Sequence, residues 1–391
     1  EKDIDKLAAF VNEENGKTIP ESKAEIARGI ECIEYGISLP SIVAEPILEV
    51  STGVQCRAMR YPLGVVAGIT PFNFPFMVPF WMIPQAIGLG NAFVLKPSEV
   101  VPVTAQRIAE HMRDAGIPDG IFSIVNGGKE IVEAICDHKD IKAVGFVGST
   151  AVAKLVYSRS SATGKRVLAL GGAKNHLFVM PDAEPEMTAK NVTDSFTGCA
   201  GQRCMAASVL VAVGKVDPII EKIRERAASL KLGQDMGSVI SKAAQERILR
   251  YIDDAEKSGA KILLDGRQAK VEGKEDGYYV GPTIIMDPEG KTASASEEIF
   301  GPVITIRQAK DFDEAIAIEN ASPYGNAAAI YTQNGAWARE FSHRAQAGMV
   351  GVNVGVPVPR EPFPFGGWND SRFGVGEMTG AGGIELWSQS K

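Results

Sequence analysis

The stretch IKAVGFVGST, residues 141–150, decides the fold class. Its first seven residues are almost all apolar, with two valines and an isoleucine, which predicts a buried strand. It closes on Gly-Ser-Thr and runs directly into AVAKLVYSRS, whose spacing is helical. A strand that ends on small residues and opens a helix brings free helix N–H groups close to whatever lies beyond the strand, and a diphosphate suits that position. Many strands end in Gly-Ser, and no G-x-G-x-x-G stands anywhere in the chain, so this stretch alone does not define a nucleotide site.

The same unit recurs on both sides. GVVAGIT (64–70) reads as a strand, followed by an apolar helix after Pro79. NAFVLKPS (91–98) is a strand before the helix TAQRIAEHMRDAG, and GIFSIVNG (120–127) is a strand before a helix from Glu130. KRVLALGG (165–172) is a further strand. Short apolar strands alternating with amphipathic helices predict a parallel α/β sheet. Residues 1–37 read as helices, and the segment from Ile47 to Thr70 reads as extended. From about Asn175 the pattern restarts, with HLFVMPD, SVLVAVG, KILLDG, TIIMD, VITIRQ, NAAAIYT and GMVGVNV as strands. Helices such as QERILRYIDDAEKSG and DFDEAIAIENAS lie between them, which predicts a second α/β domain. VPVPREPFPFGGW (356–368) reads as an ordered loop over a site, because its aromatic rings would otherwise face solvent.

The bulk numbers agree with two domains in 391 residues. A net charge of −7 offers nucleic acid no basic surface. Five scattered cysteines read as reduced thiols in a cytoplasmic setting, not as a disulfide framework. With four histidines and no C-x-x-C pair, no metal site is expected. The apolar run FPFMVPFWMIPQAIGLG from Phe74 holds three prolines and is too short to span a bilayer comfortably, so no membrane partner is expected.

Four stretches carry candidate chemistry. FTGCAGQRCMA (196–206) sets Arg203 against Cys204, and a fixed cation favours the nucleophilic thiolate. A buried structural cysteine with a chance neighbour explains the same residues. ITPFNFPF (69–76) places Asn73 among aromatics, where its amide needs a partner and is able to donate to a developing oxyanion; a loop staple is the alternative. LKPSE (95–99) ends a strand with Lys96 and Glu99, a pair suited to ribose hydroxyls or simply to a surface turn. SEEIFGPV (296–303) offers Glu297 and Glu298, or a polar turn before a strand.

Taken in order, PFNFPF, LKPSE, FVGST, LGGAKN, GQRC, EEIFGPV and PFGGW resemble the successive motifs of the NAD(P)-dependent aldehyde dehydrogenase superfamily, over essentially the whole chain. The resemblance implies an α/β fold of two Rossmann-like domains with a small β oligomerisation arm. The NAD-binding domain would span 1–174, with an oligomerisation hairpin at about 44–62. The catalytic domain would span 175–370, and residues 371–391 would return and begin an oligomerisation strand. It implies Cys204 as nucleophile and Asn73, with the Cys204 backbone N–H, as oxyanion hole. Thr70, Phe72, Lys96, Glu99, Gly148, Ser149, Glu298 and Phe300 would hold the coenzyme, and Phe365 would line the aldehyde tunnel. The Glu99 carboxylate would repel a 2′-phosphate, so NAD is expected over NADP.

One position departs from the family. Where most members carry the glutamate that activates water, this chain has Ala169, in LALGGAKNH. Loss of a general base costs about 10²–10⁴-fold, so a Cys204 thioester would outlive water and pass to a stronger nucleophile, coenzyme A. GQRCMA and LGGAKNH are similar to the CoA-acylating methylmalonate or malonate semialdehyde dehydrogenase branch. That branch implies Arg203 and Arg28 as a clamp on a substrate carboxylate, decarboxylation, and acetyl-CoA or propionyl-CoA as product. A hydrolytic enzyme using another carboxylate, such as Glu377, and a non-catalytic protein of the same fold are the alternatives. A homodimer or homotetramer is expected. Against the family the chain reads as lacking an N-terminal stretch, part of the loop at KLGQDMGSVIS and the remainder of a final strand after ELWSQSK.

Overall fold

The computed structural model describes residues 2–391. Two helices open the chain, Ile4–Asn15 and Ile19–Ile42. The second starts where the sequence dictates. Thr18 caps it, its side chain accepting from the Glu21 N–H at 3.4 Å while the Glu21 carboxylate accepts from the Thr18 N–H at 3.0 Å, and Pro20 sits in the first turn. An exposed hairpin follows, Ile47–Ser51 against Val54–Arg57, and then the strand Arg60–Pro62, which pairs with Ser388–Ser390 at the C-terminal end.

The first large sheet has six strands in the order Arg372–Gly374, Arg166–Leu170, Ile141–Val147, Val65–Ile69, Ala92–Lys96, Phe122–Ile124. The last five are parallel, and Arg372–Gly374 adds antiparallel at one edge. The chain starts at the centre with Val65–Ile69 and steps outward twice. It then crosses back to lay Ile141–Val147 on the other side. Strand order therefore reverses between Val65–Ile69 and Ile141–Val147, and a parallel sheet leaves a crevice beyond the carboxyl ends of such a pair. Thr70–Asn73 and Gly148–Ser149 lie at those two ends. Gly68 and Gly145 face each other across this pair. A Cβ on Gly68 would stand 2.5 Å from the Phe93 ring of the neighbouring strand, and one on Gly145 would stand 2.5 Å from the Met82 sulfur of the helix above, so the two glycines leave the room these side chains fill.

That layer is formed by Ile19–Ile42, Met77–Gly88 and Pro102–Asp114. It buries Val66, Phe93, Leu95 and Leu168 from one face of the sheet, and Ala67, Ile69, Val144 and Phe146 pack on the other. Period-two alternation sorts these residues. The apolar helix begins at Met77, earlier than the sequence predicts, with Pro79 inside its first turn. Proline is tolerated there because that N–H has no acceptor within the helix.

The second sheet has seven strands in the order Lys261–Leu264, Thr283–Met286, Val303–Ala309, Ala207–Val213, Asn175–Val179, Ala327–Tyr331, Met349–Val352. All are parallel except Lys261–Leu264. Every strand read from the second half of the sequence is present. The main apolar core runs on from the first sheet through Met205, Ala327, Met349 and Phe365, so the two sheets close on one another along that seam. Residues 353–367 form no regular element and lie over the seam, with Val356 and Val358 packed against the same core. No helix among the described residues is long and apolar enough to cross a membrane.

Candidate active site

The turn that carries Cys204 is made by a left-handed reversal. The helix Pro185–Thr197 ends at Gly198, and Cys199, Ala200 and Gly201 follow with φ of 52°, 52° and 69°. Left-handed backbone costs about 1–2 kcal/mol for each residue bearing a Cβ, so other contacts must hold the turn. The Cys199 N–H donates to Glu21 Oε1 at 2.6 Å, and the Gln202 N–H donates to the Cys199 carbonyl at 3.0 Å. Gly201 meets the turn of Glu298–Pro302 backbone against backbone, and a Cβ there would stand 2.0 Å from the Gly301 oxygen. Beyond the turn, the Cys204 carbonyl accepts from two amides, Asn175 Nδ2 at 2.8 Å and Asn326 Nδ2 at 2.9 Å.

Cys204 faces a cavity of about 1000 Å3 that opens at the switch point of the first sheet. Thr70, Phe72, Asn73, Lys96, Glu99, Gly148, Ser149, Glu298 and Phe300 line the same cavity, so the coenzyme residues implied by the resemblance are brought together with the thiol. Asn73 is buried, and its Nδ2 donates to the Gln202 carbonyl at 3.0 Å. Lys96 donates to Glu99 at 2.9 Å, from a buried side chain to an exposed one. The lysine's hydrogen bond holds the Glu99 carboxyl below its ordinary value, so it stays ionised. Ser149 is the N-cap of Thr150–Ala162 with its side chain making no capping bond, and Ala151 and Val152 of the first turn line the cavity. Phe300, at φ 55°, meets Phe72 edge-on with ring centroids 5.8 Å apart.

These groups fit a dinucleotide. An ionised carboxylate and an ammonium end one strand for ribose hydroxyls, and an uncapped helix N-terminus ends its neighbour for phosphates. A second carboxylate, Glu298, reaches the cavity from the other domain's side, where Oε1 accepts from the Ala173 N–H at 2.9 Å. Burial raises the Glu298 carboxyl above its usual range, opposed by that N–H and by Lys174 and Arg247.

Burial also pushes the Cys204 thiol up to about 12, and the Glu298 carboxylate adds to the rise. The backbone N–H groups of Cys204 and Met205 and the Arg203 guanidinium work the other way, without overcoming it. Arg203 therefore does not make this thiol a ready thiolate in the free protein. Its Nη2 donates to the carbonyls of Asp194 and Ser195 at 2.6 and 2.9 Å, at the C-terminal end of Pro185–Thr197, while its Nε has no partner. Arg28 pairs with Glu31 and donates to the Pro359 carbonyl at 2.6 Å. Neither arginine lines the cavity, so the structure does not bring the expected clamp together on its wall. Phe365 stands one ring behind the wall, its centroid 4.5 Å from that of Trp81, which does line it.

Ala169 is fully buried in the first sheet, between Phe146 and Phe373. Among the described residues, the carboxylates that line the cavity are Glu99 and Glu298. Glu377 is elsewhere, its Oε1 accepting from Arg372 at 2.9 Å. Asn175, Asn326 and Lys174 were not singled out from the sequence as site residues. The first two hold the Cys204 carbonyl from the start of the strand Asn175–Val179 and from the residue before the strand Ala327–Tyr331, and no local pattern connects them. For Lys174 a signal was available, a charged residue placed between Gly-Gly-Ala and an apolar strand. Its ammonium is buried without a hydrogen-bond partner, and burial lowers it to about 7.

The aldehyde dehydrogenase family pattern matches residues 1–391. A malonate-semialdehyde dehydrogenase of Geobacillus thermodenitrificans is 46% identical over 396 residues, covering 99% of this chain and 82% of its own length. Two solved structures superpose with a TM-score of 0.98 at 42% identity over the whole of this chain. One is a Sinorhizobium meliloti protein assigned as a methylmalonate-semialdehyde dehydrogenase in complex with NAD, 81% of which is covered. The other is the methylmalonate-semialdehyde dehydrogenase of Oceanimonas doudoroffii, 82% of which is covered. The cavity, the thiol at its floor and these likenesses agree, and the chain belongs to the aldehyde dehydrogenase family.

Proposed function

We propose that this protein oxidises malonate or methylmalonate semialdehyde with NAD and delivers the acyl group, after loss of CO2, to coenzyme A. The observation that carries the CoA step is the alanine at 169, a buried apolar position with no ionisable group. Relatives named for malonate and methylmalonate semialdehydes support the substrate class.

Cys204 gives up its thiol proton to water entering the cavity, and the sulfur adds to the aldehyde carbon. Asn73 Nδ2 and the Cys204 backbone N–H donate to the oxygen as it gains charge, and fixed donors at such a position contribute about 2.7–4 kcal/mol each. Lys96 and Glu99 hold the adenosine ribose of the coenzyme. Gly148 and Ser149 hold its diphosphate, Thr70 and Phe72 flank it, and Glu298 and Phe300 hold its nicotinamide end. The ionised Glu99 favours NAD over NADP, because a 2′-phosphate would meet like charge. The chemistry bound NAD supplies is hydride acceptance, which converts the thiohemiacetal on Cys204 to a thioester.

With no base at Ala169, water is poorly activated, and the thiol of coenzyme A takes the acyl group. A β-carboxy thioester loses CO2 because its carbonyl accepts the electron pair as an enolate, and Asn73 serves that charge as well. Arg203 and Arg28 orient the substrate carboxylate. Residues 1–174 serve as coenzyme domain and 175–370 as catalytic domain. The exposed apolar face of the hairpin Ile47–Arg57 is the contact of a homodimer or homotetramer. Reduced, scattered cysteines favour a cytoplasmic setting.

Product analysis tests the reading. Malonate and methylmalonate semialdehyde with NAD and coenzyme A are expected to yield acetyl-CoA and propionyl-CoA with one CO2 each. Free acid formed equally fast without coenzyme A would overturn the acylating assignment.

A further inference from the structure

The oxyanion loop is tied down from a direction the reaction itself does not explain. Glu25, in the helix Ile19–Ile42, has a fully buried side chain. One oxygen pairs with Lys17 Nζ, itself buried. The other accepts from the backbone N–H groups of Phe76 at 2.8 Å and Met77 at 3.1 Å. Those are the first groups of the helix Met77–Gly88, whose own N-cap supplies no side-chain acceptor. Lys17 Nζ also lies 3.7 Å from the centroid of the Phe74 ring, and Asn15 Nδ2 donates to the Phe72 carbonyl at 2.8 Å. Phe72, Phe76 and Met77 are thus fixed to the first two helices and Phe74 to Lys17 in the loop between them, and Asn73 is the residue inside that strap. The same helix holds the opposing turn through Glu21 and the Cys199 N–H.

A buried ion pair is a poor way to gain stability, since packed apolar side chains of similar volume often serve as well or better. What Glu25 supplies and an apolar residue cannot is direction, because two N–H groups must point at one oxygen. We propose that Glu25, Lys17 and Asn15 are positioning residues for Asn73, and that the first two helices register the oxyanion donor against the turn that carries Cys204. The proposal rests on the reading of Asn73 as oxyanion donor. A shift of about 1 Å in a reacting group is able to cost about 10²-fold in rate, so a loosened strap is read in the chemical step.

The test is a double-mutant cycle on the stopped-flow burst of NADH formation, using Asn15→Ala, Glu25→Gln and Asn73→Ala. Asn15→Ala removes one hydrogen bond and tests the strap by itself should Glu25→Gln fail to fold. Expected are burst rates lowered about 3–10-fold by Asn15→Ala and about 10–100-fold by Glu25→Gln, with the KM for NAD unchanged. In the Asn73→Ala background either change is expected to cost less than about 2-fold, because the group it aims is gone. Losses that multiply with a slow Asn73→Ala enzyme, or a KM for NAD that rises in step, overturn the positioning role alone. An Asn73→Ala enzyme as fast as the parent overturns the oxyanion reading, and this one with it.

Discussion

Asn73 Nδ2 donates to the Gln202 carbonyl at 3.0 Å, across 129 residues of sequence, and thereby joins the loop that ends the first strand to the turn that carries Cys204. The donor is buried and directed before any substrate arrives, which is the condition for stabilising charge without reorganisation. Asn73→Ala is expected to lower the NADH burst rate by about 10²–10³-fold, with coenzyme affinity nearly unchanged.

Glu298 adds to the effect of burial on the free thiol. Its carboxylate is the second cause, after burial, of the rise in Cys204 to about 12. Removing a negative charge from beside a thiol favours the thiolate, so Glu298→Gln lowers that value. Iodoacetamide should alkylate Cys204 several-fold faster in Glu298→Gln than in the parent at pH 8, without coenzyme, and both rates should climb with pH. Equal rates would show that the carboxylate does not act on the sulfur.

The arginines should discriminate by substrate charge. Arg203→Leu and Arg28→Leu are each expected to raise KM for malonate semialdehyde by about 10–100-fold, the cost of losing one charge-assisted contact, while KM for propanal moves little. Effects of equal size on both aldehydes would return Arg203 to the role it has in the free chain, a cap on the end of Pro185–Thr197.

His176 makes stability fall in acid. It is buried in the strand that follows Lys174, and burial, helped by the lysine's charge, lowers it from 6.5 to about 3. The unfolded chain binds a proton there below pH 6.5 and the folded chain does not, so stability is full above 6.5 and is lost as pH falls toward 3, at about 1.4 kcal/mol per pH unit. Urea unfolding at pH 7.5 and 5.0 should differ by about 2 kcal/mol less in His176→Gln than in the parent.

The reach of the sequence can be read from individual residues. The turn at Gly148 and Ser149 is legible because a strand, a small-residue turn and a helix follow one another directly in sequence, and the structure has that order. The sequence places the apolar helix after Pro79, three residues late, because proline looks like a boundary, while the first turn of a helix accepts it. The sequence reads Arg203 chiefly as a grip on a substrate carboxylate and only secondarily as a cation acting on the thiol; the second effect is present but outweighed by burial, and the guanidinium lies back on the helix before the turn. Asn175 and Asn326 went unread because strands from distant parts of the chain bring them to one carbonyl.

By itself the sequence determined the alternation of strand and helix, the order of the motifs and the absence of a carboxylate at 169. Each of these is local, set by side-chain periodicity and residue chemistry over a few positions. Only the tertiary structure decided where strand order reverses, that Asn73 faces Gln202, that Glu25 holds the helix behind it, and that burial leaves Cys204 protonated. Those are relations between residues tens to hundreds of positions apart, and their energies depend on distance and on the exclusion of water, which the order of residues along a chain does not contain.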